Sequence, residues 1–475
     1  MSWKAAWLVV LVACGCTVQT LTANEQSRAE RIFSQSADWP AFAQGAAGQP
    51  PHGKIDVLFV VDNSSSMAGL QGQLLAAFDT FMGVLESVPG GTPDLHIGVI
   101  STDVGAGDGS ISGCKSDGGD RGRLQFVSSP DCPMVAFVGA SRFMSFNEND
   151  GPGLRATNFG DRPLTQAFAC LARLGETGCG FEQPFASVKH ALDPVLAPSE
   201  NLGFLRREAS LAVIMVSNED DCSANPAVPL FDTTANTTVT SQLGPPTNFR
   251  CNEFGHTCGG YPPPRTATGL LTDCRSNETG VYLETIAGFI DFLRKLKGDP
   301  AKVFVATIAG PPSPYQVRVK PPSVDDTADW PEIGHSCTTA DGGVADPAVR
   351  LSQLAETLGP YGHFESVCGD SMFTPMRRIG SALTKPLARA CVVRPSMQAW
   401  CQVVDRWIDD EGIMQATVLP RCVDAPDVKP CWSLTDDSGC RSTEQLFTVE
   451  RGDTTVPAGL MSAINCNNPL LPPAL

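Results

Sequence analysis

The chain has 475 residues, of which 51 are acidic and 34 are basic, so its formal charge is −17 with the histidines neutral. This excess of acidic groups argues against binding to nucleic acids or to anionic lipid surfaces. A hydrophobic fraction of 42% with only 18% charged residues excludes wholesale disorder. The length predicts two or three domains.

Residues 1–16 form a predicted export signal with a lipid attachment site. A short cationic start precedes an apolar run, residues 5–16, that is too short to span a membrane. The run contains Leu11-Val12-Ala13-Cys14, which resembles the bacterial lipobox, and this resemblance implies that Cys14 carries diacylglycerol as the mature N-terminus. Gly15 after it resembles lipoproteins sorted to an outer membrane. Cys16 is a less suitable acceptor, and ordinary signal peptidase cleavage that removes Cys14 is the alternative.

Residues 17–53 are polar and rich in Ala, Gln, Ser and Pro, which predicts a tether. From Lys54 onward, β-prone apolar runs alternate with helical patterns. The predicted strands are residues 55–61, 95–101, 211–217, 303–309 and 363–367. The predicted helices are residues 70–88, 164–174, 183–196, 281–296, 347–358 and 372–387. This alternation predicts a doubly wound α/β fold with a mostly parallel, Rossmann-like sheet, whose ligands bind beyond the carboxyl ends of the strands.

Two segments interrupt the alternation, residues 103–161 and 222–277, and both are dense in Gly, Pro, Asp, Asn and Cys. We predict that they are surface insertions. Residues 391–475 lose the helical periodicity and contain six cysteines, with short strands predicted at 415–419 and 445–449. This composition predicts a small Cys-rich, β-rich C-terminal domain after Ala390.

Cysteine usage supports export. Ten cysteines lie between Cys114 and Cys368 and six between Cys391 and Cys466, so each part can close its own disulfide bonds. Proximity along the chain suggests Cys114 with Cys132 and Cys170 with Cys179, although the sequence leaves the connectivity open. The alternative is a zinc site, for which the best candidates are Cys251, His256, Cys258 and Cys274.

A DxSxS turn, Asp62-Asn63-Ser64-Ser65-Ser66-Met67, follows the first predicted strand and precedes a helix. A strand-to-helix turn brings residues i, i+2 and i+4 around one point, so Asp62, Ser64 and Ser66 face the same place. One carboxylate and two hydroxyls make an all-oxygen site suited to Mg²⁺ or Ca²⁺. The alternative is an ordinary helix N-cap at Asp62 or Ser64.

The strand, the DxSxS turn and the helix, with residues 97–103 in the next strand, resemble the von Willebrand factor type A domain and its metal-ion-dependent adhesion site. The resemblance implies a third ligand from a threonine in a loop, for which Thr177 is the candidate and Thr165 a competitor. It also implies an aspartate after the fourth strand, where this sequence has Asn218. We expect the carboxylate at Asp220 instead, and weaker metal binding if Asn218 takes the position.

The Cys-rich insertions, residues 177–183 and the pair Cys431-Trp432 resemble a group of secreted bacterial lipoproteins that carry this domain. The resemblance covers residues 54–390 well and the tail loosely. It implies a binding protein anchored in the cell envelope, whose metal engages a carboxylate on a protein or glycan. The chain has no GxSxG, HExxH or GxxxxGK[ST] motif, so an enzyme, for example a hydrolase, is the less favoured class. A structural envelope scaffold with a degenerate metal site is the alternative.

Overall fold

The computed structural model describes residues 54–86, 92–107, 111, 113–114, 118–130, 132, 137–148, 155–234, 238–298, 300–320, 329–339, 342–384, 390–393, 400–408, 414–436, 444–451 and 461–467. Cys14, Cys16 and the predicted tether, residues 17–53, lie outside the described residues. No helix within these ranges combines the length and the apolar character of a membrane span.

The strands are, in chain order, β1 Lys54–Val61, β2 Asp94–Ser101, β3 Phe143–Glu148, β4 Arg155–Thr157, β5 Ser210–Val216, β6 His256–Cys258, β7 Gly269–Leu271, β8 Cys274–Ser276, β9 Val303–Ala309, β10 Tyr315–Lys320, β11 Trp330–Gly334, β12 Cys337–Thr338, β13 Val344–Ala345, β14 Gly362–Ser366, β15 Ala390–Val393, β16 Trp400–Ile408, β17 Met414–Leu419, β18 Cys431–Thr435, β19 Glu444–Glu450 and β20 Met461–Asn467. The α-helices are α1 Ala68–Glu86, α2 Leu164–Ala172, α3 Pro184–Leu192, α4 Phe249–Gly255, α5 Ile286–Lys297, α6 Val349–Thr357 and α7 Phe373–Thr384.

The central sheet has seven strands in the order β14-β9-β5-β1-β2-β3-β4. The first five in this order are parallel, whereas β3 and β4 run antiparallel at one edge. The predicted α/β fold with a mostly parallel sheet is therefore confirmed. The two antiparallel strands come from residues 103–161, so this predicted surface insertion in fact extends the sheet.

Alternation along β1 builds a core on each face of the sheet. Phe59 points to the face covered by α1, α2 and α7, where Phe78 of α1 stacks on Phe168 of α2 with ring centroids 3.7 Å apart. Leu58 points to the other face, covered by α3, α5 and α6. Burying one such large apolar side chain stabilises the fold by roughly 1.5–3 kcal/mol. Helices on both faces make the sheet doubly wound, as predicted.

The five predicted strands and six predicted helices all exist, with shifts at their ends. Helix α3 ends at Leu192 rather than at residue 196, because Asp193 precedes Pro194 and adopts an extended backbone with ψ of 127°. Helix α5 begins at Ile286 rather than at residue 281, because the Thr285 side chain caps it by accepting from the N–H of Gly288 at 3.0 Å.

Disulfide bonds connect Cys114 to Cys179 and Cys132 to Cys170, so the pairing predicted from proximity along the chain was wrong. Packing decides the pairing, because the N–H of Val127 donates to the carbonyl of Cys170 at 2.7 Å and brings the segment of Cys132 against α2. The remaining bonds within the described residues are Cys222–Cys251, Cys258–Cys274, Cys337–Cys368, Cys401–Cys466 and Cys422–Cys431. The three cysteines of the alternative zinc set are thus oxidised, which contradicts that alternative.

The C-terminal region is β-rich, as predicted, and the expected strands at 415–419 and 445–449 are β17 and β19. It contains two three-stranded sheets, β15-β19-β18 and β17-β16-β20. Val403, Leu419, Trp432 and Phe447 form a hydrophobic cluster of their own between these strands.

Candidate metal centre

The parallel strands bring three polar residues to one edge of the sheet. Val61 at the end of β1 is level with Ser101 of β2 on one side and with Val216 of β5 on the other. The next residues are Asp62, Thr102 and Ser217, and all three are buried. The candidate site therefore lies at the carboxyl ends of the central strands, where open α/β sheets bind their ligands.

Asp62 shapes the turn that follows β1. Its Oδ1 accepts from the backbone N–H of Ser64 at 2.8 Å, and its Oδ2 accepts from the Ser217 hydroxyl at 2.6 Å. The carbonyl of Ser64 then accepts from the N–H of Met67, directly before α1 begins. Burial raises the pKa of Asp62, and the hydrogen bonds from Ser217 and Ser64 offset part of that rise.

The hydroxyls of the DxSxS turn lie close together. Ser64 Oγ lies 3.3 Å from Ser66 Oγ, and Asn218 Nδ2 donates to Ser66 Oγ at 3.0 Å. Asn218 Nδ2 also contacts the carbonyl of Val344 at 2.9 Å. The structure therefore brings Asp62, Ser64 and Ser66 together, with an amide at the place where the sequence comparison expected a carboxylate.

The loop of Thr177 borders the same turn. The N–H of Gly178 donates to the carbonyl of Asn63 at 2.9 Å, and a Cβ on Gly178 would lie 2.2 Å from Asn63 Oδ1, so a larger residue here would displace the Asn63 side chain. Thr177 itself is exposed next to this contact. The competitor Thr165 lies instead in the first turn of α2.

Gln71 joins the DxSxS turn to the loop of Thr177 through hydrogen bonds, and the sequence did not predict this role. Its Nε2 donates to the carbonyls of Asp62 and Gly175, at 3.1 and 2.9 Å. Its Oε1 accepts from the N–H of Leu174 at 3.1 Å. In the sequence, Gln71 is visible only as a glutamine beside Leu70 on the apolar face of a helix. That position does not indicate which groups it contacts.

Asp220 is engaged by a histidine and a helix N-terminus. Its Oδ2 accepts from His256 Nε2 at 2.8 Å and from the N–H of Arg350 at 2.7 Å, while Oδ1 accepts from the N–H of Leu351 at 3.0 Å. Burial raises the pKa of Asp220, but His256 and Arg350 outweigh it and hold that pKa below its ordinary value. Asp220 thus caps α6, and a role in metal binding stays a prediction. Its neighbour Asp221 pairs with the Arg350 side chain at 2.9 Å.

Glu182 is a buried carboxyl that the sequence analysis did not assign. It accepts from the Thr102 hydroxyl through Oε2 and is 1% exposed. Burial raises the pKa of Glu182 well above its ordinary value, and the charges of Asp62 and Glu219 raise it further. Nothing in the sequence around Glu182, between Phe181 and Gln183, predicts that its side chain is buried.

Glu219 and Asp346 extend this acidic cluster. Burial, Asp346 and Asp62 together raise the pKa of Glu219 well above its ordinary value, and burial raises that of Asp346. Within the described residues no lysine or arginine forms an ion pair with Asp62, Glu182 or Glu219.

The donor atoms fit a hard divalent cation. The convergent atoms are oxygens, which Mg²⁺ and Ca²⁺ prefer. Among the described residues, no lysine or arginine pairs with Asp62 or Glu182 beside them. Glu182 Oε1 and Asn63 Oδ1 are also buried without a hydrogen-bond partner in the described part of the chain, and such atoms are rare in folded proteins. Asp62, Ser64 and Ser66, with Thr177 beside them, are the residues that would hold the ion.

No protein-family model matches the chain, and no curated protein does. Among solved structures, the PilB minor pilin from Streptococcus sanguinis matches at 10% identity and a TM-score of 0.27, over 72% of this chain and 63% of the pilin. The pilus adhesin SpaC from Lactobacillus rhamnosus GG, in its open conformation, matches at 10% identity and a TM-score of 0.31, over 88% of this chain and 49% of SpaC. The chain thus spans less than two thirds of each of these proteins. Both TM-scores are too low for a conclusion about fold or function.

Proposed function

We propose that this protein is a metal-dependent binding protein of the von Willebrand factor type A kind, displayed on the cell envelope. A Mg²⁺ or Ca²⁺ ion on Asp62, Ser64, Ser66 and Thr177 recruits a carboxylate from a protein or glycan partner. One observation carries the proposal: the oxygens of the DxSxS turn converge at the carboxyl end of the central strand, beside Asp62 and Glu182, which form no ion pair with a lysine or arginine of the described residues.

The ligand chemistry explains why such a site would bind an acidic group. Hydroxyl ligands are neutral, so most of the charge of a divalent cation remains available to a further anion. Ser66 and Thr177 are exposed, so the ion would be accessible to a partner from solvent. Binding through the metal therefore needs no cleft that encloses the ligand.

Binding is favoured over catalysis because the serines lack an activating base. Among the described residues, neither Ser64 nor Ser66 is hydrogen-bonded to a histidine, whereas a nucleophilic serine needs such a base. His256 is buried and held by Asp220 and by the Tyr315 hydroxyl at 2.9 Å. We therefore propose a non-enzymatic role.

The test is calorimetry and thermal unfolding with Mg²⁺ and with Ca²⁺. Wild type and the control Ser65→Ala, an exposed serine of the same turn, should bind the ion, whereas Asp62→Ala and Ser66→Ala should not. Binding to the folded state stabilises it by about 2.7 kcal/mol when the free ion reaches 100 times its Kd. EDTA should remove both this shift and any binding to a partner from envelope extract.

The competing function is a structural envelope scaffold with a degenerate site. Its supporting observation is that Asn218 hydrogen-bonds Ser66 and the carbonyl of Val344, so neutral groups satisfy this part of the site. If wild type binds neither cation at millimolar concentration, the scaffold replaces the metal-dependent function.

The lipid anchor on Cys14 has its own test. Cys14→Ala should move the protein from the membrane fraction to the soluble fraction and abolish incorporation of labelled lipid, whereas the control Cys16→Ala should do neither. The two acyl chains of a diacylglycerol hold a protein far more firmly than a single chain. Unchanged labelling of Cys14→Ala would contradict the assignment of the anchor.

A further inference from the structure

The proposed metal centre contains one carboxylate, whose single negative charge balances only part of the charge of a divalent cation. Asp62 is the acidic member of the set, while Ser64, Ser66, Thr177 and Asn218 contribute neutral oxygens. Affinity for hard cations depends on the number of charged ligands. A second carboxylate near Asp62 would therefore compensate for the neutral amide of Asn218.

Glu182 is held in position for this role. The N–H of Cys222 donates to its carbonyl at 2.7 Å, and the N–H of Gln183 donates to the carbonyl of Thr102 at 3.2 Å. These bonds fix its backbone between Thr102, directly after β2, and Cys222 in the loop that follows β5. The Thr102 hydroxyl donates to Oε2, which fixes one oxygen of the side chain.

The second oxygen of Glu182 has no N–H or hydroxyl partner. Oε1 is buried and accepts no such hydrogen bond within the described residues, and the side chain, which is 1% exposed, lies within hydrogen-bonding reach of the Asp62 carboxyl. A buried carboxylate needs a cation or a proton, because burial of an unpaired charge is costly. A cation between the two carboxyl groups would satisfy both.

We propose that Glu182 supplies the second negative charge of the metal centre. Its carboxylate would take the role of the aspartate that was expected after the fourth strand, where this chain has Asn218. The inference rests on the proposed function of the Asp62 site and adds to it a residue outside the DxSxS turn. Glu182 and Asp62 then act as a carboxylate pair on the same ion.

The other acidic groups near the site have other partners. Asp220 is hydrogen-bonded to His256, and Asp221 forms an ion pair with Arg350. Glu219 is more exposed than Glu182, and its Oε2 accepts from Asn248 Nδ2 at 2.7 Å. Glu182 is the carboxyl in this group with a buried, unpartnered oxygen.

Glu182→Gln tests the assignment, because glutamine keeps the shape of the side chain and an acceptor for the Thr102 hydroxyl. Calorimetry should show a fall in Mg²⁺ affinity on the order of 10–100-fold. The melting temperature without metal should not fall, because a buried neutral amide replaces a buried acid. The control Glu208→Gln removes one exposed carboxyl beside Lys54 at the opposite end of the sheet and should leave the affinity unchanged.

Charge relocation gives the sharper test. Asn218→Asp in the Glu182→Gln background returns a carboxylate to the centre next to Ser66, so the affinity should recover. Thr102→Val provides a second route if Glu182→Gln does not fold, since it frees Oε2 and should weaken Mg²⁺ binding with Glu182 still present.

The outcomes separate the inference from the function on which it rests. If wild type binds no Mg²⁺, the proposed function fails and the inference fails with it. If wild type binds and Glu182→Gln binds equally well, Glu182 is not part of the centre while the function stands. If Glu219→Gln loses affinity and Glu182→Gln does not, the second charge belongs to Glu219. Loss in Glu182→Gln with recovery in the double variant supports the inference.

Discussion

Strand β1 buries an aspartate at each end, and the two aspartates have opposite surroundings. Asp56, near the start of the strand, is 0% exposed and meets two cations, Arg206 at 2.7 Å and Lys297 at 3.4 Å. Asp62, just after the strand, is also 0% exposed but meets hydroxyls, an amide N–H and the neighbouring acid Glu182.

Charge pairing therefore differs between the two ends of the sheet. At the amino end Arg206 also bonds Asp94, so buried carboxylates and cations form a closed network inside the protein. At the carboxyl end the described residues supply no such cation to Asp62. A buried pair is stable only when both partners are present. The buried carboxyls at the carboxyl end therefore need a proton or a cation from outside the protein to balance their charge, and the proposed metal ion would supply the second.

The largest expected effect comes from breaking the closed network. Arg206→Met removes the principal partner of Asp56, and leaving a buried charge uncompensated should cost about 3–5 kcal/mol. Asp62→Asn without metal should change the free energy of unfolding by less than about 1 kcal/mol, because it removes a charge that has no cation. Denaturant unfolding of both variants in EDTA measures the difference, and similar losses at the two ends would contradict the comparison.

Removing a disulfide bond should have an effect of intermediate size on stability. Removing Cys114–Cys179 or Cys132–Cys170 by paired Cys→Ser substitution should cost about 2–4 kcal/mol in each case. Cys179 follows Gly178, whose N–H donates to the DxSxS turn, so the first variant should also lose Mg²⁺ affinity.

The Cys132–Cys170 variant is the matched control, because Cys170 lies within α2 rather than in the Thr177 loop. It should keep the affinity of wild type at a temperature where both variants are folded. Equal loss of affinity in the two variants would show that the Thr177 loop is not specifically connected to the metal centre.

The smallest effect is a pH dependence at the amino end. Burial lowers the pKa of His96, and Arg206 lowers it further, while the carbonyl of Phe204, Asp56 and Asp94 act in the opposite direction. The unfolded chain therefore takes up a proton on His96 before the folded chain does. Stability should fall as the pH decreases below about 6.5, the ordinary value, with a slope of at most about 1.4 kcal/mol per pH unit.

His96→Gln removes this contribution, so its stability relative to wild type should improve as the pH is lowered from 7.5 to 5.5. The ring packs on Phe143, with centroids 4.7 Å apart, so the variant loses some stability at every pH. The difference between the two unfolding curves across pH is the measurement. A constant difference would show that His96 does not titrate differently in the folded and unfolded chain.

The amino-acid sequence by itself determined the five parallel strands, six of the helices and the DxSxS turn, because each depends on periodicity and local turn chemistry within a few residues. Uninterrupted apolar runs such as residues 55–61 indicated strands buried on both faces, and the parallel arrangement of the five strands followed from the helices between them. The same reasoning identified Asp62, Ser64 and Ser66 as neighbours, since one turn contains all three.

Only the tertiary structure decided which distant residues meet. Arg206 reaches Asp56 across 150 positions of the chain, and Glu182 reaches Asp62 because the ends of β1, β2 and β5 share one edge of the sheet. The partners of Cys114 and Cys132 depended in the same way on how the loops pack. Periodicity specifies which face of an element is buried, whereas the pairing of charges and cysteines depends on strand order and register, which bring remote segments together.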